Sequence, residues 1–348
     1  MRVDLFDYDL PADRIAQEPR PRGSSRLLVL DRRRDRIAHR RFEELPEILD
    51  PGDLLVRNDV RVRSARLYGK DGKGRLVEVF LLGRLEEAGR RWRALTKPGR
   101  RAKRGRAIAF EEGLRADVEA VEPDGSRIVA FDRPLDDDLM SRIGRTPLPP
   151  YIRREPGAPD RPEDRRGYQT VYAREPLAVA APTAGLHFTS EILARLAGRG
   201  IEIADLTLAV GGGTFKPVTV EDTRDHAISP EEVSIPAATA AAVGAARAQR
   251  RRILAVGTTV ARSLESAARL APEPRRAEDL RFETDLFITP GFEFLAVGAL
   301  LTNFHLPRST LLMLVCALAG RERVLAAYAE AVRERYLFYS FGDAMLVL

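Results

Sequence analysis

At 348 residues, 44% hydrophobic and 31% charged, the chain has enough apolar material for a packed core, is too balanced for a disordered segment, and is long enough for one large domain with a smaller one. A net charge of +6 from 57 basic and 51 acidic residues means that a nucleic-acid surface would have to be a local concentration of charge. The single cysteine, Cys316, excludes an internal disulfide and a thiolate cluster, Asp4, Asp7 and Asp9 spoil any secretory leader, and the longest apolar run, Leu311 to Ala319, is far short of the roughly 20 residues that span a bilayer, so a cytoplasmic chain without membrane contact is expected.

From Met1 to Arg61 the short apolar runs Arg26 to Leu30 and Asp53 to Val56, punctuated by Pro and Gly, predict strands and turns of a main domain. Between Val62 and Arg145 the pattern changes to short alternating segments, Leu76 to Leu82, Arg91 to Thr96, Ala107 to Phe110, Arg115 to Val121 and Arg127 to Phe131, separated by Gly- and Asp-rich turns; this predicts a small β-barrel or sandwich. The Pro-rich stretch from Thr146 to Ile152 then leads back to a different regime. The expected organisation is therefore an α/β main domain over 1–61 and 146–348, with an inserted small all-β, barrel-like domain over 62–145. Beyond Tyr168 the strand-like runs Leu177 to Ala181, Ile201 to Val210 and Arg252 to Val256 alternate with helical patterns at Ser190 to Gly198, Ala237 to Arg250 and Ala261 to Leu270, as in a sheet flanked by helices. Ser309 stands where an N-cap belongs, before the apolar helix Thr310 to Ala319, and Arg321 to Glu334 predicts a further helix.

Four histidines make up the neutral-pH acid/base vocabulary, and three of them fall at expected strand-to-loop junctions, His187 and His305 among them. His187 closes the run from Ala178 through Pro182, Thr183 and Gly185; in open α/β sheets ligands bind in the loops beyond strand C-termini. His305 follows Asn303 by two residues, so an extended segment would carry both on one face as a pair. An isolated histidine such as His187 is more often a turn stabiliser, and the segment with Asn303 and His305 is equally well read as a turn held by the Asn side chain. The glycine loop Gly211, Gly212 and Gly213 with Thr214, and the segment Gly257, Thr258 and Thr259 leading to Arg262, suit close backbone approach to a ligand or simply tight turns. Neither matches a P-loop or a dinucleotide fingerprint. Six positive charges crowd the ten residues from Lys97 to Arg106, including Arg101, Lys103 and Arg104, a turn suited either to a phosphate backbone or to solvent. No HExxH, CxxC or carboxylate cluster appears, so no metal site is expected.

The ordered series Phe6 to Pro11, Leu55 to Asp59 with Arg61 and Arg66, Leu148 to Ile152, Tyr168 to Tyr172, Ala180 to Phe188, Gly213 to Pro217, Val256 to Thr259, Thr302 to Pro307 and Ser340 to Met345 closely resembles the motifs of the S-adenosylmethionine:tRNA ribosyltransferase-isomerases over nearly the whole chain. The resemblance implies transfer and isomerisation of the ribosyl moiety of S-adenosylmethionine onto 7-aminomethyl-7-deazaguanine at the tRNA wobble position, giving epoxyqueuosine, adenine and methionine. It implies tRNA and S-adenosylmethionine as partners, the latter as substrate with no bound cofactor, and a monomer is expected. The sulfonium acidifies the ribosyl C5′ proton, so His187 or His305 is the expected base, with Asp225 and Asp343 as partners of the sulfonium or ring hydroxyls. Thr183, Gly185, Gly211, Gly213, Thr214, Thr258, Thr259, Arg262 and Asn303 are the expected ligand cradle, and Arg61, Arg66, Lys97, Arg101, Lys103 and Arg104 the expected tRNA contacts. This chain departs from the family pattern at Ala209 and Ser229, where histidines are usual, and at Val60 and Ser64. A paralogue acting on another substrate and a non-catalytic RNA-binding protein are the alternatives.

Overall fold

The structure, a computed structural model, describes residues 1–211, 218–270 and 279–348, and divides into two compact units. The larger comprises Met1–Val60, Gln169–Glu175 and Pro182–Leu348. Its nine-stranded mixed sheet runs in the order Leu280–Thr284, Glu231–Ile235, Glu202–Leu208, Leu54–Asn58, Ile253–Val256, Ala299–Asn303, Ala344–Val347, Arg26–Asp31 and Arg36–Arg41. Four neighbours, from Glu202–Leu208 to Ala299–Asn303, are parallel to one another. Three of these, Leu54–Asn58, Ile253–Val256 and Ala299–Asn303, are buried at every position and read as continuous runs rather than as an alternation, the signature of strands covered on both faces. One face packs Leu55, Leu254, Val256, Ala299 and Leu301 against Phe188, Ile192 and Leu196 of the segment that includes the helix Ser190–Gly198.

Helix boundaries follow their chemistry. Ser309 caps Thr310–Ala319, its Oγ accepting from the Leu312 amide at 3.2 Å, as its position in the sequence predicts. The helix expected from Ala261 begins earlier, at Thr258, because Gly257 takes a left-handed φ of 94° straight after the strand. The run Leu177–Ala181 is not a strand of the main sheet: a short strand, Pro176–Ala178, pairs instead with Arg61–Val62, within the smaller unit.

That smaller unit comprises Arg61–Tyr168 and Pro176–Ala181, so that residues 146–168 group with the β module rather than with the main fold. Its centre is a closed, all-antiparallel barrel in the order Arg127–Phe131, Arg91–Lys97, Leu76–Arg84, Arg66–Asp71, Ala107–Ala109 and Arg115–Val121. Here the strands alternate. Ala116 and Val118 are buried while Arg115, Asp117 and Glu119 are exposed, as a barrel with a filled interior requires. An α/β main fold with a small all-β barrel is the architecture expected from the sequence. No helix among the described residues is long and apolar enough to cross a membrane.

Candidate active site

Because the four central strands are parallel, their C-terminal ends share one edge of the sheet, where Gly257 to Thr259 follow one strand, and Asn303 ends and His305 follows another. Gly257 approaches to where an added Cβ would lie 3.7 Å from the Ala184 Cβ, and its amide donates to the Leu301 carbonyl at 2.8 Å. The turn Thr183–His187, the Gly257–Thr259 segment and the end of the strand Ala299–Asn303 therefore converge.

His187 is buried and bonded at both ring nitrogens. Asn303 Nδ2 donates to the Tyr339 carbonyl at 3.0 Å and lies 3.1 Å from His187 Nε2, while His187 Nδ1 lies 2.9 Å from Ser25 Oγ. The Tyr339 carbonyl requires a donor, which orients the carboxamide with its NH2 toward both partners. Nε2 is then an acceptor, and the neutral ring carries its proton on Nδ1, donated to Ser25. Burial, followed by the positive charges of Arg22 and Arg20, pushes His187 down from 6.5 to about 4, consistent with a neutral imidazole. A serine nucleophile is excluded by the same tautomer, because Nδ1 already holds a proton and cannot take one from Ser25.

His305 sits differently. Its Nε2 lies 2.7 Å from Thr302 Oγ1, its amide donates to the Tyr328 hydroxyl at 3.1 Å, and its carbonyl accepts from the Tyr8 hydroxyl. Thr302 and Asn303 face opposite sides of the sheet by strand alternation, so the expected pairing of Asn303 with His305 is replaced by two pairs, Asn303 with His187 and Thr302 with His305. The strand ends at Asn303 and the chain then turns the His305 ring back on its own strand. Nδ1 of His305 has no hydrogen-bond partner among the described residues. Burial pushes this histidine down to about 3.

Other expected site residues are occupied structurally. Asp343 is fully buried, accepting from the Arg26 amide at 2.9 Å, the Leu337 amide at 2.8 Å and Arg20 at 3.1 Å. Arg262 is pinned to Glu231 at 2.5 Å and to the carbonyls of Leu286 and Thr284, and Glu231 in turn accepts the Gly211 amide at 3.3 Å. Thr258 and Thr259 begin the helix beside Gly257. Asp225 is exposed on the turn Thr223–Asp225 and bonds to neither histidine. Gly213 and Thr214 lie outside the described residues. Ser25 and Tyr172 are site neighbours that the sequence does not reveal. A serine between strand and turn carries no signal of its own, whereas Tyr172 closes one of the family-like motifs without any role being implied for it.

Gly185 is required by a close approach. A Cβ there would collide with the Tyr172 hydroxyl and lie 2.9 Å from Thr170 Cγ2. The Tyr172 ring stacks under the Arg57 guanidinium at 4.1 Å, its hydroxyl is buried without a partner among the described residues, and burial drives the phenol well above its usual range. Gly185→Ala is expected to destabilise the protein by about 1–3 kcal/mol through overpacking. Tyr172→Phe, which removes both the colliding atom and an unsatisfied buried hydroxyl, should be near neutral alone and should recover part of the loss in the double variant. Urea midpoints of the four proteins test this, and additive losses would refute it.

In the smaller unit, Lys97, Lys103 and Arg104 of the basic turn are exposed, as is Arg61. Arg101 instead donates to the Leu76 carbonyl at 2.7 Å, and Arg66 is held by Glu78 at 3.3 Å and the Leu148 carbonyl at 2.9 Å. Among the described residues no group of three or more His, Cys, Asp or Glu could hold a metal ion.

Known proteins match this chain from end to end. A family model described as queuosine biosynthesis protein matches residues 3–347. Proteins named S-adenosylmethionine:tRNA ribosyltransferase-isomerase are 51% identical in Anaeromyxobacter dehalogenans, covering 100% of this chain and 99% of the relative, and 50% identical in Moorella thermoacetica, covering both chains fully at 100%. The crystal structure of S-adenosylmethionine tRNA ribosyltransferase from Thermotoga maritima superposes with a TM-score of 0.56 at 41% identity over 99% of this chain and 100% of the other. With a family model spanning almost every residue and relatives at half identity from end to end, the chain belongs to the queuosine biosynthesis protein family.

Proposed function

We propose that the chain is an S-adenosylmethionine:tRNA ribosyltransferase-isomerase that acts at the C-terminal edge of its parallel strands. It moves the ribosyl group of S-adenosylmethionine onto the aminomethyl nitrogen of 7-aminomethyl-7-deazaguanine in tRNA and releases adenine and methionine. The observation that carries the site assignment is the convergence of the Thr183–His187 turn, the Gly257–Thr259 segment and Asn303 on one buried, neutral, tautomer-fixed imidazole. His305 takes the role of base. Among the described residues its Nδ1 has no partner, and donation of Nε2–H to Thr302 would leave a lone pair on Nδ1 to receive the C5′ proton of the sulfonium. His187 keeps its proton on Nδ1 and, through Asn303, holds the strand end in register. Gly211 and the segment Gly257–Thr259 serve as the cradle for the rest of the substrate. Asp343 holds the Arg20 side chain and the Arg26 and Leu337 main-chain amides rather than the sulfonium.

The test is incubation of the whole protein with S-adenosylmethionine and tRNA carrying the 7-aminomethyl-7-deazaguanine base, following adenine release and nucleoside mass. Product would also show that Ala209 and Ser229 are tolerated. Adenine release without tRNA incorporation would point to a paralogue, and tRNA binding without consumption of S-adenosylmethionine to a binding protein.

The barrel unit supplies tRNA contacts through its basic turn. Lys103→Ala with Arg104→Ala should weaken tRNA binding similarly for all sequences and lower the slope of log affinity against log salt by about one for each phosphate that the turn no longer neutralises. An unchanged slope in a filter-binding titration would remove the turn from the interface. The protein is taken to act as a cytoplasmic monomer, which light scattering at working concentration tests for the oligomeric state.

A further inference from the structure

The carboxamide of Asn303 is only half used. Its NH2 serves Tyr339 and His187, but its oxygen, in a side chain only 2% exposed, has no hydrogen-bond partner among the described residues. A buried acceptor left unpaired costs about 1–3 kcal/mol, and its retention at the end of a strand that borders the candidate site calls for a donor that arrives with the ligand. Rotating the carboxamide to satisfy the oxygen would turn it toward the Tyr339 carbonyl, acceptor against acceptor, so the residue cannot cure its own deficit.

We infer that Asn303 Oδ1 accepts a hydrogen bond from a ring hydroxyl of the ribosyl group, making Asn303 a specificity-determining residue for a hydroxylated sugar. This rests on the function proposed above. Three classes of donor exist on S-adenosylmethionine. The ammonium is disfavoured, because Asn303 is neutral and buried and the nearest imidazole already feels the positive charges of Arg22 and Arg20. The adenine amine lies at the far end of a base that leaves during the reaction. The ring hydroxyls belong to the group that is transferred, and Asn303 stands at the end of a strand beside His187, where the Thr183–His187 turn and the Gly257–Thr259 segment converge.

The experiment compares S-adenosylmethionine with its 2′-deoxy and 3′-deoxy analogues, measuring kcat/KM for adenine release with acceptor tRNA. The wild type should reject one of the two analogues by about 10- to 100-fold, the worth of one buried hydrogen bond. Asn303→Ala should be slower overall but treat that analogue and the natural substrate alike. A purely structural role for Asn303 would lower every rate and leave the ratio unchanged. Equal use of all three substrates by the wild type, or undiminished discrimination in Asn303→Ala, overturns the inference. Failure of the wild type to release adenine even from S-adenosylmethionine would instead overturn the functional reading beneath it.

Discussion

Replacing His305 with glutamine is expected to slow adenine release by roughly 10²- to 10⁴-fold, the usual contribution of a positioned general base. Glutamine preserves much of the imidazole's size and can still bond Thr302, while the backbone clamps from Tyr328 and Tyr8 involve main-chain atoms that the substitution leaves in place. The fold should therefore survive, and the loss should fall on kcat more than on KM. His187→Gln provides the contrast. It breaks the bonds to Ser25 and Asn303, so loss of substrate affinity and of stability should accompany any loss of rate. Should His305→Gln keep wild-type kcat while His187→Gln abolishes it, the assignments of the two histidines are reversed.

The second large effect is on stability in mild acid. Both buried histidines are neutral in the folded protein, pushed from an ordinary 6.5 to about 4 for His187 and about 3 for His305. Between those values and 6.5 the unfolded chain binds protons that the folded chain does not, so stability is fully present above pH 6.5 and falls as pH decreases. Each histidine contributes a slope of up to about 1.4 kcal/mol per pH unit, and the slope fades as pH passes below the folded values. Carboxylates held low by arginine, such as Asp71 at about 2, release their stabilisation only as pH falls through 3.8 and below, outside the interval between pH 7.5 and pH 5. Urea unfolding at pH 7.5 and pH 5 should show a clear drop in the midpoint, and His305→Gln should flatten it by about one proton. Equal midpoints at the two pH values would mean that the histidines are charged in the folded state. The same depression predicts that kcat/KM keeps its plateau below pH 6 rather than falling with an ordinary histidine.

Patterns of periodicity and capping travel well from sequence to fold because they depend on near neighbours. The alternation from Leu76 to Phe131 is enough to reveal a small all-β module, and Ser309 before Thr310 is enough to place a helix start. Edge elements carry weaker signals. Arg36–Arg41 is largely polar and exposed, and nothing in it marks a strand until its partner Arg26–Asp31 supplies the hydrogen bonds. Leu177 to Ala181 resembles a core strand because it is apolar, but its short pairing partner is Arg61–Val62, a choice that only long-range packing makes.

The sequence by itself determined the family and the fold class, since motif identity and periodicity are local properties, and it offered the residues that the proposal uses as candidates. Only the tertiary structure decided how those residues pair. It joined Asn303 to His187 across 116 positions and sent the His305 ring back to Thr302; it also spent Asp343 and Arg262 on scaffold bonds. The physical reason is that a buried polar group must be satisfied by whatever the fold brings within about 3 Å, and that neighbour is set by strand order and by which face of the sheet a side chain takes, neither of which is written in any single segment.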